Sequence, residues 1–119
     1  MAKVLIVDDS RTSRKILRNL LEEAGHEIVS EAVNGDEGYL KYKEFTPDVV
    51  TMDITMPRMD GITALEHIMA FDKNARVVMI SALGKEELVK KSLLLGAKNY
   101  IVKPLDRKKV LERISSAVK

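Results

Sequence analysis

Side chains that could do chemistry stand directly after four short apolar runs of the sequence. Asp8 and Asp9 follow the run VLIV, Asp53 follows VVTM, Ser81 follows VVMI and Lys103 follows YIV. A carboxylate can act as a nucleophile. A hydroxyl, an ammonium group and a bound cation are the groups that stabilise a phosphoryl group during its transfer. The sequence therefore contains the parts of a phosphoryl-transfer site, provided that the four runs end in the same place.

The three acids also predict a metal ion. Carboxylates that lie close together repel one another, so at neutral pH they need a cation or must take up protons. Mg²⁺ is the expected ion, because it binds through a few carboxylate oxygens and keeps several waters. The chain has no cysteine, which excludes disulfides and thiolate metal sites.

The elements that must position these groups are short strands and amphipathic helices. β-branched apolar runs alternate with segments of helical periodicity five times along the chain. This alternation predicts a parallel sheet with helices on both faces, joined by right-handed crossovers. The segment 26–31 is the weakest strand, and its polar residues suit an edge position. In such sheets ligands bind beyond the carboxyl ends of the strands, so the four runs are expected to deliver their side chains to one site.

Apolar residues at helical spacing indicate which face of each helix packs on the sheet. Gly25 and Gly96 are expected to end the first and fourth helices. The predicted inward residues, helix by helix, are Ile16, Leu17, Leu20, Leu21 and Ala24; Tyr39, Leu40 and Tyr42; Ile62, Leu65, Ile68 and Met69; Leu88, Val89, Ser92, Leu93 and Leu95; Val110, Leu111, Ile114, Ala117 and Val118.

Length and composition limit the class of protein. The 119 residues are 45% apolar and 32% charged, which predicts one globular domain. The start, MAKVLIVDD, has the features of neither a signal peptide nor a membrane span, so a cytoplasmic location is expected. The net charge of +2 does not favour nucleic-acid binding. Residues 98–119 carry seven basic and two acidic side chains, which fits either a solvated helix face or docking to an acidic partner.

From end to end, the chain resembles the receiver domain of two-component response regulators. The motifs that carry the resemblance are, in chain order, Asp8-Asp9, Asp53, the Met56-Pro57-Arg58-Met59-Asp60-Gly61 run, Ser81-Ala82 and Lys103-Pro104. The resemblance implies a flavodoxin-like α/β fold, with a five-stranded parallel doubly wound sheet of strand order 2-1-3-4-5 flanked by five helices. It also implies a single receiver domain over residues 1–119.

The resemblance assigns the site residues. It makes Asp53 the phosphoacceptor and gives Mg²⁺ the ligands Asp8, Asp9, Asp53 and the backbone carbonyl of Thr55. Lys103 would contact the phosphoryl oxygens. The protein would then be a signalling protein and not an enzyme, catalysing only its own phosphorylation and dephosphorylation.

The resemblance further implies a conformational switch. Ser81 would turn to donate to a phosphoryl oxygen, and Tyr100 matches the aromatic position that swings inward as Ser81 moves. The Lys103-Pro104 peptide bond is expected to be cis. Thr55 and Leu83 stand two residues beyond a site residue and are expected to tune hydrolysis. Because Leu83 cannot orient a water, slow self-hydrolysis and a separate phosphatase are expected.

The type of receiver determines which protein partners are expected. The chain stops after its fifth helix, which favours a stand-alone monomeric regulator that acts by docking. Tyr100 and the wording TMDITMP resemble the regulators of chemotaxis. The phosphodonor would then be a histidine kinase, and the target the flagellar motor switch protein, bound through the face formed by the fourth helix, fifth strand and fifth helix.

Other functions stay open on the sequence alone. A phosphorelay intermediate, or a receiver fragment of a larger regulator, would use the same site chemistry. From a different class, a metal-dependent phosphatase could work through an aspartyl-phosphate. Such enzymes usually carry a second acid two residues after the nucleophile, where this chain has Thr55, so this alternative is disfavoured.

Overall fold

Five strands alternate with five helices along the chain, and the computed structural model describes all of residues 1–119. The strands are β1 (Lys3–Val7), β2 (Glu27–Ala32), β3 (Val49–Asp53), β4 (Val77–Ser81) and β5 (Asn99–Val102). The helices are α1 (Arg11–Glu23), α2 (Gly35–Phe45), α3 (Gly61–Phe71), α4 (Glu86–Leu94) and α5 (Arg107–Ala117). None of these helices combines the length and the apolar character needed to cross a bilayer.

The strands form one parallel sheet in the order β2-β1-β3-β4-β5, which confirms the predicted architecture. The weakly patterned β2 lies at an edge, as its polar residues indicated. Strand order reverses at β1, which is flanked by β2 and β3. The carboxyl ends of β1 and β3 therefore lie side by side at the switch point, where a ligand site is expected.

The sheet separates two apolar layers. On one face, Leu5, Met52 and Met79 pack with residues of α2 and α3. On the other face, Ile6 and Ile80 pack with residues of α1 and α5. Because both faces are covered, the central strands β3 and β4 are buried along their whole length, including their last residues, Asp53 and Ser81.

Four of the predicted inward residues are wrong. Ile16, Leu40 and Leu93 are 44%, 60% and 46% exposed, and Ala24 also lies on the surface. In α1 the buried residues are Leu17, Leu20 and Leu21. A helix touches a sheet along a strip narrower than the apolar stripe that its sequence displays, so residues at the margins of the stripe stay exposed.

The loop after β3 folds back on the strand that it leaves. The Gly61 amide donates to the carbonyl oxygen of Ile54 at 2.8 Å. A β-carbon on Gly61 would lie 1.9 Å from the carbonyl oxygen of Asp53, so this close approach requires glycine. Asp60 caps α3, its side chain accepting from the amide of Thr63 at 2.8 Å. Asp60-Gly61 thus has a structural role, as helix cap and as close-packed turn.

Candidate functional site

The three acids predicted to converge do so. Val7 pairs with Met52, so the residues that follow, Asp8 and Asp53, end adjacent strands. One carboxylate oxygen from each of Asp8, Asp9 and Asp53 lies within 4.8 Å of the others. Asp8 and Asp53 are only 1% and 7% exposed, whereas Asp9 faces solvent. The cluster therefore has a buried base and an open side.

Backbone amides orient the two buried carboxylates. Asp53 Oδ1 accepts from the amide of Ile54 at 2.9 Å, and Asp8 Oδ1 accepts from the amide of Ser10 at 2.8 Å. Asp53 Oδ2 accepts no hydrogen bond of this kind, and its nearest cation is Lys103 Nζ at 3.8 Å. Oδ2 is therefore the oxygen of Asp53 with a lone pair available to an incoming group.

The electrostatics of the cluster oppose three ionised acids. Burial and the charge of Asp8 raise the pKa of Asp53 to about 6, while the Lys103 ammonium and the Ile54 amide act in the opposite direction. A carboxylate with a raised pKa binds either a proton or a cation more tightly than an ordinary one. Hard oxygen donors around a partly buried negative charge fit a magnesium ion.

Lys103 reaches the site from the end of β5. Its Nζ lies 3.2 Å from Asp8 Oδ2, so the ammonium pairs more closely with Asp8 than with Asp53. The backbone amide of Lys103 donates to the carbonyl of Ser81 at 2.8 Å, which ties this turn to the end of β4. The Lys103-Pro104 bond is cis, as expected.

Ser81, Leu83 and Tyr100 form a second group beside the acids. Ser81 is buried, and its Oγ accepts from the amide of Leu83 at 3.0 Å. The Tyr100 hydroxyl donates to the carbonyl of Leu83 at 2.5 Å, and its ring is 5% exposed, so Tyr100 points inward in this structure. Burial raises the pKa of Tyr100 and keeps it protonated as a donor. Thr55 and Leu83 are exposed at the rim of the site.

The structure adds residues that the sequence did not indicate. Ser13 Oγ lies 3.2 Å from Lys103 Nζ. Arg14 donates to the Asp8 carbonyl at 2.8 Å, and Arg14 and Arg18 both pair with Glu31 of β2. These residues stand on α1 and β2 with no motif around them. For Ser13 and Arg14, the one available signal was their position in the first turn of the helix that follows Asp8-Asp9.

Comparison with known proteins gives the family. The model of the response regulator receiver domain matches residues 4–115. The chain is 66% identical over 119 residues to the chemotaxis protein CheY of Treponema pallidum, an alignment that covers 98% of this chain and 83% of the relative. It is 45% identical over 117 residues to the chemotaxis protein CheY of Thermotoga maritima, covering 98% of each.

A solved structure is also similar to this chain. A CheX–CheY complex from Borrelia burgdorferi that contains BeF3 and Mg²⁺ includes a chain that is 58% identical to this one. The two superpose with a TM-score of 0.94, over 96% of this chain and 87% of that chain. Fold, strand order and sequence thus agree with one family.

Proposed function

The chain belongs to the response regulator receiver domain family, and on that premise we propose that it accepts a phosphoryl group on Asp53 Oδ2. It is a chemotaxis two-component response regulator, as its similarity to CheY proteins shows. The observation that carries the proposal is the meeting of Asp8, Asp9 and Asp53 within 4.8 Å, with Lys103 beside them.

The transfer step needs no other nucleophile from the chain. Asp53 Oδ2 attacks the phosphorus of a phosphohistidine on a histidine kinase, a P–O bond forms and the P–N bond breaks. The proton needed by the departing imidazole comes from the kinase or from solvent. The Ile54 amide holds Oδ1, so the attacking oxygen is presented in one orientation.

Asp8, Asp9, Asp53 and the backbone carbonyl of Thr55 would hold Mg²⁺. The fit rests on the donor set, since the three carboxylates are hard oxygen ligands and the pKa of Asp53 is raised by burial and by the charge of Asp8, both of which a cation would offset. When bound, the ion supplies positive charge to the phosphoryl oxygens. Lys103 supplies a second positive charge near the acceptor.

Ser81 and Tyr100 would convert the modification into a change of shape. The Ser81 hydroxyl, which now accepts from the Leu83 amide, has a hydrogen of its own that it can donate to a phosphoryl oxygen. Tyr100 already points inward while Ser81 accepts from Leu83, so movement of Ser81 would act on an existing contact, by shifting the loop that holds Leu83 and the carbonyl to which the Tyr100 hydroxyl donates. Phosphorylation would thereby shift the balance between two arrangements of this loop.

The face formed by α4, β5 and α5 is proposed as the docking surface for the target. Leu93, Leu94 and Val102 are exposed on it, at 46%, 87% and 39%. The segment 98–119, which forms β5 and α5, carries seven basic and two acidic residues, so a target segment with apolar and acidic residues would complement the face. We propose a flagellar motor switch protein as that target.

Hydrolysis of the acyl phosphate would be slow without a partner. Thr55 and Leu83 stand at the rim, and the alkyl side chain of Leu83 cannot orient an attacking water. A separate phosphatase is therefore proposed. The Borrelia relative forms a complex with CheX, and a CheX homologue is our candidate partner for this chain.

Phosphorylation is tested with a small phosphodonor and Mg²⁺. We expect one phosphoryl group retained per chain, detected by mass spectrometry as an acyl phosphate. Asp53→Asn should abolish the signal, whereas the control Glu112→Gln, an exposed acid on α5, should not change it. Continuous release of phosphate over many turnovers would favour the phosphatase class, and transfer to a second histidine protein would favour a phosphorelay.

The role of Leu83 is tested by comparing two exposed leucines. Leu83→Glu is expected to speed loss of the phosphoryl group, because a carboxylate at the rim can orient water. Leu94→Glu, on the distant part of α4, should leave the hydrolysis rate unchanged. Equal rates for Leu83→Glu and the unchanged protein would remove Leu83 from the mechanism.

A further inference from the structure

The Lys103 ammonium has two near hydrogen-bond partners. Its Nζ lies 3.2 Å from Asp8 Oδ2 and 3.2 Å from Ser13 Oγ, whereas Asp53 Oδ2 is 3.8 Å away. An ammonium group has three hydrogens, so it can donate to Asp8 and Ser13 at the same time. The lysine predicted to serve the acceptor therefore rests toward α1.

Ser13 is a fixed partner. It lies in the first turn of α1, and its backbone amide donates to the Ser10 Oγ cap at 3.2 Å. Ser13 and Lys103 stand 90 residues apart in the chain, so their hydrogen bond joins the end of β5 to α1. Because α1 also holds the Asp8 carbonyl through Arg14, Asp8 and Ser13 form one rigid receptor for the ammonium.

The two partners differ chemically. Asp8 is a proposed magnesium ligand, and an ion bound there competes with the ammonium for the carboxylate. The Ser13 hydroxyl carries no charge and is not among the carboxylates that converge, so it can keep holding the ammonium when Asp8 turns to the metal. A hydrogen bond from a charged donor is stronger than one between neutral groups.

We propose that Ser13 is a positioning residue that holds the Lys103 ammonium beside Asp8 in the unphosphorylated protein, and so sets how readily Lys103 moves to a phosphoryl group on Asp53. The proposal deepens the proposed function and rests on it. Release from Ser13 is part of the cost of moving Lys103 to the phosphoryl oxygens. Ser13 thus favours the unphosphorylated arrangement.

The test compares Ser13→Ala, Ser13→Thr and Thr12→Ala. Threonine keeps the hydroxyl, alanine removes it, and Thr12 is an exposed residue of the same helical turn. Beryllofluoride affinity at saturating Mg²⁺ is measured by calorimetry. We expect Ser13→Ala to bind the mimic about threefold to tenfold more tightly, as loss of one hydrogen bond of typical net strength from the unliganded state implies. Ser13→Thr and Thr12→Ala should match the unchanged protein.

A second readout does not involve the metal. In the metal-free protein, hydrogen exchange of the Lys103 ammonium is followed by ¹⁵N nuclear magnetic resonance. We expect faster exchange in Ser13→Ala and unchanged exchange in Ser13→Thr. A helix-stabilising effect of alanine would alter the unfolding midpoint without altering this signal.

The outcomes separate the two proposals. If the unchanged protein does not bind beryllofluoride, or if Asp53→Asn binds it equally well, the proposed function is overturned. If the unchanged protein binds it at Asp53 but Ser13→Ala binds it with equal or lower affinity, only the role of Ser13 is overturned. A Ser13→Thr variant that behaves like Ser13→Ala overturns that role as well.

Discussion

Helices α1 and α4 both begin at the acidic edge of the sheet, but they are attached to the protein in different ways. The 13 residues of α1 begin at a Ser10 cap and bury Leu17, Leu20 and Leu21. Arg14 and Arg18 join the same helix to β2 through Glu31. The helix is thus held by a cap, by apolar packing and by ion pairs.

The attachment of α4 is weaker in each of these respects: Val89 is only partly buried against the core, and the ion pair of Lys90 with Glu86 lies within the helix. Lys85, at its N-cap position, makes no side-chain cap, and the one fully buried residue of its nine is Ser92. The Ser92 hydroxyl has no hydrogen-bond partner. Leu93 and Leu94 face solvent, and an open groove of about 440 Å³ between α3 and α4 is lined in part by Leu88 and Lys91.

The difference assigns binding of the phosphoryl group to the firmly attached part of the site and the conformational response to the loosely attached part. The side of the site that carries Asp8, Asp9 and the resting contact of Lys103 is built on the firmly attached helix. The side that carries Ser81, Leu83 and Tyr100 leads into the loosely attached one. Regions with few buried contacts open at lower free energy than the core, so a switch located there needs little energy to move.

Amide hydrogen exchange tests the comparison most directly. We expect the central amides of α4 to exchange faster than those of α1 by on the order of 100-fold, because α4 can open locally while α1 opens only with the sheet. Native-state exchange measured residue by residue checks this. Equal protection in the two helices would contradict the comparison.

Asp53→Asn tests whether the charge of the Asp53 carboxylate contributes to the difference in protection between α1 and α4. In the metal-free protein we expect the free energy of unfolding to rise by about 1 to 2 kcal/mol above about pH 6, after allowance for solvent screening. The folded pKa of Asp53 is about 6, above the unfolded value of about 3.9. Ionisation of Asp53 therefore lowers the free energy of unfolding progressively as the pH rises from the unfolded pKa to the folded one.

Urea unfolding across this pH range, without Mg²⁺, measures the effect, which should vanish below about pH 4. The exchange ratio between α1 and α4 should stay the same in Asp53→Asn, because packing and capping set it. A gain in the free energy of unfolding that is equally large at low pH would show that the charge of Asp53 is not its cause.

Helix caps provide a matched pair of changes. Ser10→Ala should lower the free energy of unfolding by about 1 kcal/mol, because α1 loses its cap. Lys85→Ser should raise the protection of α4, since Lys85 has the extended backbone of a cap position but no acceptor. Lys85→Ala is the control for loss of the lysine. If Lys85→Ser and Lys85→Ala protect α4 equally, the missing cap is not what loosens it.

Two buried hydroxyls without partners give the smallest expected effect. Ser92→Ala in α4 and Thr51→Val in β3 each remove such a group, and each should stabilise the protein by about 0.5 to 1 kcal/mol. Only Ser92→Ala should slow exchange in α4. Thermal unfolding together with hydrogen exchange measures both variants. Destabilisation by Ser92→Ala would indicate that its hydroxyl is hydrogen-bonded in solution.

Much of the fold could be predicted from local patterns. The β-branched runs at β1, β3 and β4 and the helical spacing between them were sufficient for a parallel sheet, since both signals depend on neighbouring residues. The order of the strands was implied only by the family resemblance. The exposed side chains of Ile16, Leu40 and Leu93 were wrongly predicted, because spacing reports the apolar stripe of a helix and not the width of its contact.

The sequence by itself determined which chemical groups reach the site. Asp8, Asp9, Asp53, Ser81 and Lys103 each stand at or just beyond the carboxyl end of a strand, and parallel strands end at one edge, so their meeting followed from residue type and position. Only the tertiary structure decided which oxygen of Asp53 is free and that Lys103 rests on Asp8 and Ser13. A hydrogen bond depends on a few tenths of an ångström between atoms far apart in the chain, and no local pattern specifies that distance.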